Sequence, residues 1–458
     1  TSMALSIVVL AAGQGTRMKS DLPKVLQPMA GRPLLAHVLD RCQELAADAV
    51  HVVYGHGGEK VKQEFAGHSV NWVLQAQQLG TGHAVQQAAP HIPADHNVLV
   101  LCADVPLIKT KTLKRLLAEL ESHPLSLLTV DMSDPTGYGR IIRSSDGAVQ
   151  AIVEHRDANA ELRAVKEINT GLLAARADKL AGWLNGLRAD NDQQEYYLTD
   201  IVALAVAGGD GVAAVTCDSE SEVLGINDKL QLAEAEAVYR RRQAEALMRA
   251  GVTLADPARL DVRGTLECGR DVFIDVNAVF EGRVVLGDRV RIGPNAFLKD
   301  VELGDDTEVL ANCVMEQVRA GKACNLGPFA RLRPGAELAD NVKVGNFVEL
   351  KKSQIGKGSK VNHLTYVGDS LVGEGVNVGA GTVTCNYDGV NKYQTIIGDG
   401  AFIGSGVLLV APVEVGAGAV LGAGSVITKP APENKLTVAR ARQVVIPGWK
   451  RPEKKPKN

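Results

Sequence analysis

Val285-Leu-Gly-Asp-Arg-Val290 and Ile396-Ile-Gly-Asp-Gly-Ala401 share one plan, a pair of aliphatics, then glycine and aspartate, then a short turn. The plan recurs with a period of six: Leu286 and Ile292, Leu326 and Leu332, Ile355, Val361 and Val367, Val372 and Val378, Ile397 and Ile403, Val415 and Leu421. One aliphatic and one small turn residue per six predicts a parallel β-helix, whose inward aliphatics stack coil upon coil. One stretch breaks the phase. Nineteen residues separate Gly379 from Gly398 where eighteen would keep it, so Thr384 to Gln394 (TCNYDGVNKYQ) is expected to loop out. Its Asn386, Tyr387, Asp388, Gly389 and Lys392 combine turn chemistry with reactive polar groups.

Upstream the period is different. From Leu5 to about Asn227, short apolar runs alternate with amphipathic helical stretches: SIVVLAA, PLLAHVLDRCQELA, AVHVVYG, then NVLVLCAD followed by KTLKRLLAEL. This alternation predicts an α/β, Rossmann-like domain with a mainly parallel sheet, ligands gathering at the carboxyl ends of its strands. Between the halves, residues 228–250 lack Gly and Pro and are rich in Ala, Glu, Leu and Arg. A helix is expected there, with Asp228 as N-cap, Gln231 three residues on, and Gly251 at the C-terminal cap. The expected organisation is 1–227 catalytic α/β domain, 228–250 linking helix, 251–437 β-helix, and 438–458 tail.

The 458 residues are too many for one compact core, and no apolar run approaches the roughly 18 to 20 residues of a membrane span. Ala4 to Ala12 is apolar but runs straight into a glycine loop, so it reads as a strand and not a signal peptide, while Thr1 and Ser2 read as an expression remnant. Seven scattered cysteines, odd in number and never spaced C-x-x-C, point away from a disulfide framework or zinc site and towards a reducing cytoplasm. A net charge of −3 with dispersed basic residues gives nucleic acid no footprint. The basic, Pro-rich tail Trp449 to Asn458 is expected to be disordered.

The sharpest chemistry follows the first strand. Leu10-Ala-Ala-Gly13-Gln-Gly15-Thr16-Arg17-Met18 is followed by Lys24. A dinucleotide fingerprint needs glycine where Met18 stands, and no Walker motif occurs. The loop still suits phosphates, because glycines let backbone N–H groups approach an anion while Arg17 and Lys24 supply positive charge.

L-x-x-G-x-G-T-x-M with a following Lys resembles the signature of sugar-nucleotide pyrophosphorylases. Further matches come in order: Gln75, Gly80-Thr81 in QQLGTGHA, Asp104 in CADVP, Gly139 in GYGRI, Glu154 in VEH, Asn169 in EINTG and Asn227 in GIND. Together, and end to end, the chain resembles the bifunctional N-acetylglucosamine-1-phosphate uridyltransferase / glucosamine-1-phosphate acetyltransferase family. The resemblance implies a left-handed β-helix, and acetyl transfer from acetyl-CoA to glucosamine 1-phosphate. Uridylyl transfer from UTP to N-acetylglucosamine 1-phosphate would follow, with pyrophosphate released, supplying UDP-N-acetylglucosamine for bacterial peptidoglycan and lipopolysaccharide. It assigns Leu10, Ala11, Ala12, Gly13, Lys24, Gln75, Gly80, Thr81, Cys102, Ala103 and Asp104 to the uridine nucleotide, and Gly139, Glu154 and Asn169 to the sugar. Arg17 and Lys24 neutralise phosphate charge. Asp104 and Asn227 hold Mg²⁺, a preference of hard oxygen ligands that Mn²⁺ also satisfies. Ala103 stands where the family pattern has glycine.

Only one of the ten histidines, His363, lies in the repeat half. Imidazole titrates near neutrality and suits removal of a proton from an attacking amine, and the resemblance makes His363 the acetyl-transfer base with Glu349 orienting it. It implies sugar-phosphate binding by Arg333, Lys351, Tyr366, Asn377, Asn386, Tyr387 and Lys392. Ala380, Asn386, Tyr387, Ser405, Ala423 and Arg440 fall on the acetyl-CoA side, and a homotrimer is implied. Two rivals stand beside this reading. A pyrophosphorylase with a merely regulatory β-helix is disfavoured by His363 and the 384–394 loop. A non-catalytic assembly subunit is disfavoured by the joint presence of Arg17, Lys24, Asp104 and Asn227.

Overall fold

The computed structural model describes residues 3–456; Thr1 and Ser2 lie outside it, as do the last two residues of the tail. The described chain divides into two compact units, 1–239 and 240–458.

In the first unit the strands of the main sheet run in the order Val212–Thr216, Leu125–Asp131, Glu167–Arg176, Asn97–Cys102, Leu5–Leu10, Ala49–Gly55, Asn71–Gln75. Alternate side chains of these strands enter opposite cores. Ile7, Val9, Leu99 and Leu101 face one layer, Val8, Val98 and Val100 the other. Burial on both faces explains why the strands read as unbroken apolar runs. The sheet is not wholly parallel. Glu167–Arg176 runs antiparallel to both neighbours, with a bulge between Asn169 and Leu173. Apolar periodicity reports burial and not strand direction, so the sequence carries no sign of this reversal.

The division between units falls inside the helix Lys229–Arg249. Its start is capped by Asp228, whose Oδ1 accepts from Gln231 N at 2.8 Å, while Gln231 Oε1 accepts from Asn227 N at 2.8 Å. Its end is a Schellman turn: Gly251, at φ 102, donates to Met248 O at 3.0 Å, and Val252 donates to Leu247 O at 3.0 Å.

The second unit is a parallel β-helix. Ile292, Val309, Leu326, Val344, Val361, Val378, Ile403 and Leu421 are successive register partners, all buried. Most coils advance by 17 or 18 residues. The coil from Ser370 to its partner Thr395 takes 25. A six-residue phase count registers an insertion only modulo six, so it understates this one. Thr384 and Cys385 remain in a strand paired with Leu409 and Val410, and the excursion begins at Asn386. Corners of the coils need positive φ, and most of the non-glycine residues there are Asn or Asp. Phe329, Phe347 and Leu364 take this conformation too, at φ 54, 57 and 46, although bulky side chains disfavour it. After Thr437 the described chain has no helix or strand and is exposed.

Candidate active sites

In the first unit the glycine loop, Gln75, Gly80-Thr81 and the Cys102–Asp104 strand end line one cleft of about 340 Å³, joined by Gln78, Glu195 and Tyr197. Gly15 adopts φ 63, and a Cβ there would stand 2.6 Å from Lys24 Cβ, so glycine is what lets Lys24 pass under the loop. Lys24 donates to Asp104 Oδ2 at 2.9 Å and to Asn227 Oδ1 at 3.1 Å. A backbone bond from Ile226 N to Asp104 O, 2.8 Å, brings Asn227 alongside the strand end. Arg17 is exposed on the turn Thr16–Met18, whose Met18 is buried, and is not among the residues that line the cleft.

Gln75 is buried and donates to Gly80 O at 3.1 Å, with His83 Nδ1 2.9 Å away. Gly80 opens the helix Thr81–Ala88 at φ 104, where a Cβ would lie 2.6 Å from Tyr196 O. Thr81 Oγ1 accepts from Leu198 N at 3.0 Å, tying in the segment that carries Glu195 and Tyr197. Burial, with the Asp104 carboxylate beside it, pushes the Cys102 thiol up to about 12, so Cys102 lines the cleft as a neutral thiol. Ala103, in the expected glycine's place, is fully buried, and its N–H donates to Leu10 O at 3.0 Å. Gly139, Glu154 and Asn169 also converge. Asn169 N donates to Gly139 O at 2.9 Å, and a Cβ on Gly139 would lie 3.2 Å from Glu154 Oε1.

Two protein oxygens, from Asp104 and Asn227, converge on one cation, the Lys24 ammonium. Among the described residues no three His, Cys, Asp or Glu side chains gather to cage a metal. A pair of hard oxygens fits an ion such as Mg²⁺, which takes its remaining ligands from phosphates and water.

In the second unit, Lys351 sits 3.1 Å from Asp369 Oδ2, and Asn386 Nδ2 donates to the same oxygen at 2.7 Å and to Tyr366 OH at 3.3 Å. Lys392 joins this cluster. Lys351 beside it, helped by Arg333, holds its ammonium below the ordinary lysine value, with Asp369 opposing. Arg333, Lys351, Tyr366, Asn386 and Lys392 are thus brought together around Asp369, a residue the sequence reading did not single out. Tyr387 is exposed, its hydroxyl donating to Gly389 O at 2.6 Å within the excursion.

His363 hangs from a different sheet. Its carbonyl accepts from Gly381 N; in later coils Ala380 O accepts from Gly406 N, Ser405 O from Gly424 N, and Ala423 O from Arg440 Nη1 at 2.7 Å. Ala380, Ser405, Ala423 and Arg440 therefore form a column that starts one coil from His363. Asn377 shares that sheet, between Lys360 and Phe402, and lies apart from the cationic cluster. The expected partner of His363 is replaced: Glu349 faces Arg331 Nη1 at 3.3 Å and Arg333 Nη1 at 3.8 Å, while His363 Nδ1 meets Asn346 Oδ1 at 3.0 Å. Asn346 and Asp369 were missed because each acts across coils. The signal is their offset, 17 residues before His363 and 18 after Lys351.

Residues 7–251 match the MobA-like NTP transferase domain, and residues 267–300 and 394–429 match the bacterial transferase hexapeptide family of six repeats. The chain is 59% identical over 453 residues to the bifunctional protein GlmU of Alkalilimnicola ehrlichii, covering 99% of this chain and 98% of the relative. GlmU of Marinobacter nauticus is 56% identical, covering 98% of this chain and 99% of the relative. For GlmU of Idiomarina loihiensis the identity is 55%, covering 99% of each.

Proposed function

The chain belongs to the bifunctional GlmU family, and from that premise we infer an enzyme that acetylates glucosamine 1-phosphate and then uridylylates the product to UDP-N-acetylglucosamine. The observation that carries this reading is the separation of chemistries: phosphate-handling groups around Lys24 in one unit, and a lone imidazole at the foot of a small-residue column in the other.

In uridylyl transfer, an oxygen of the sugar 1-phosphate attacks the α-phosphorus of UTP, and the bond to pyrophosphate breaks. Little covalent help is needed; positioning and charge neutralisation suffice. Leu10 to Gly13, Gln75, Gly80, Thr81, Cys102 and Ala103 hold the nucleotide, Gly139, Glu154 and Asn169 hold the sugar, and Arg17 and Lys24 neutralise phosphate charge. Asp104 and Asn227 are the residues for Mg²⁺, which when bound supplies further charge neutralisation at the phosphates.

In acetyl transfer, His363 takes a proton from the amine as its nitrogen attacks the thioester carbonyl. The new C–N bond forms, the C–S bond breaks, and CoA leaves as the thiol after receiving that proton. Arg333, Lys351 and Lys392 hold the substrate phosphate, with Tyr366, Asn377, Asn386 and Tyr387 on the sugar side. Ala380, Ser405 and Ala423 admit the pantetheine arm, and Arg440 meets the phosphates of CoA. Glu349 holds Arg333 in place. The cationic cluster and His363 hang from different sheets of one chain, which favours a site completed between copies. Exposed Phe329 and Phe347, stacked at 5.4 Å, and exposed Leu364 follow the same corner as Asn346 and His363. A homotrimer covers this apolar ladder and shields the imidazole. Among the described residues no helix is long and apolar enough to cross a membrane, and the nucleotide and CoA substrates place the reactions in the cytoplasm.

The test supplies glucosamine 1-phosphate, acetyl-CoA, UTP and Mg²⁺, following CoA thiol and pyrophosphate separately. Both are expected; absence of thiol release would sink the bifunctional reading.

A further inference from the structure

We propose that Asn346 is a positioning residue for acetyl transfer, its side-chain oxygen holding the His363 ring with the proton on Nδ1 and the lone pair on Nε2. The proposal rests on the reading of His363 as the base. Three observations carry it.

Asn346 and His363 are register partners in adjacent coils, with Asn346 Oδ1 3.0 Å from His363 Nδ1. An amide oxygen only accepts, so the ring nitrogen facing it must donate. A neutral imidazole has one N–H, which leaves Nε2 as the basic atom. Second, the backbone on both sides is pinned. Leu364 N donates to Asn346 O at 3.1 Å, and His363 O accepts from Thr365 Oγ1 at 2.6 Å and Gly381 N at 3.3 Å. The two coils approach so closely here that a Cβ on Gly345 would lie 1.9 Å from Asn362 O, so the glycine before Asn346 is required for the pairing. Third, the carboxylate expected to orient the ring is engaged elsewhere, since Glu349 is shared between Arg331 and Arg333.

A neutral orienting group has a chemical consequence. A carboxylate at this place would favour the imidazolium and delay its use as a base until higher pH, whereas an amide fixes the tautomer without adding that charge.

The experiment uses the full-length enzyme and follows CoA release with glucosamine 1-phosphate and acetyl-CoA from pH 5.5 to 9, in wild type, Asn346→Leu, Asn346→Asp and His363→Gln. In Asn346→Leu, kcat is expected to fall about 10- to 100-fold, the range typical of groups that orient a functional histidine, with the KM for glucosamine 1-phosphate within about twofold. Asn346→Asp, nearly isosteric, keeps an acceptor and is expected to retain most of kcat while the acid limb of its pH profile moves up by about one unit. A purely structural role would not move that limb. An inactive His363→Gln beside a wild-type kcat in Asn346→Leu, or a wild-type pH profile in Asn346→Asp, would overturn the positioning role alone. A wild-type rate in His363→Gln would overturn the base assignment, and this proposal with it.

Discussion

Lys24 and Asp104, 80 residues apart in the chain, meet at 2.9 Å in the wall of the first unit's cleft. Lys24 is half-buried and also bonds Asn227, so its ammonium is held in place before any phosphate arrives. Such preorganised charge is expected to matter in the transition state more than in binding. Lys24→Ala should lower pyrophosphate release by about 100-fold or more while leaving CoA release within about twofold. Equal loss of both products would contradict the division of labour.

Asp104 and Asn227 offer oxygens to the same point, which bears on metal removal. Chelation with EDTA should stop pyrophosphate release and spare CoA release, with Mg²⁺ restoring the former. Binding of Mn²⁺ alone, read by electron paramagnetic resonance, should weaken in Asp104→Ala; unchanged binding would place the metal elsewhere.

Gly80 combines φ 104 with a carbonyl, Tyr196 O, only 2.6 Å from where a Cβ would stand. Gly80→Ala should therefore destabilise the first unit by about 1–3 kcal/mol and weaken nucleotide binding. A chemical denaturation curve superimposable on wild type would show that the loop relaxes freely.

Asp369 is the hub of the cationic cluster, bonded to both Lys351 and Asn386. Asp369→Ala should release both side chains and raise the KM for glucosamine 1-phosphate about tenfold, the scale of a roughly 1.4 kcal/mol loss, with a smaller effect on the KM for acetyl-CoA. If acetyl-CoA were affected equally, the cluster would serve the column and not the phosphate.

Burial lowers the pKa values of His37, His51 and His83, all in the first unit. The unfolded chain then binds protons that the folded one refuses, so the stability they contribute is complete above the unfolded value of about 6.5 and falls as pH drops through it. Calorimetry at pH 7.5 and 5.5 should show the midpoint falling on acidification. His51 has a buried Nε2 without a hydrogen-bond partner, and His51→Phe should reduce the fall. An unchanged fall in that variant would remove His51 from the effect.

The six-residue aliphatic period, the capped helix at 229–249 and the glycine loop with Arg17 and Lys24 were legible in the sequence, because each is a local pattern of a few neighbouring residues. The opposed strand Glu167–Arg176 was not, since apolar periodicity carries no direction. Nor were Asn346 and Asp369. A coil of 17 falls one residue short of three sixes and so brings different side chains opposite each other than a coil of 18 does, and a coil of 25 leaves only a one-residue phase slip. The sequence by itself thus determined the fold of each unit and the types of group it offers. Only the tertiary structure decided which groups meet: Lys24 with Asp104 and Asn227, His363 with Asn346 and not Glu349. The reason is physical, since such pairings depend on coil register and strand-end geometry set by the whole packed unit.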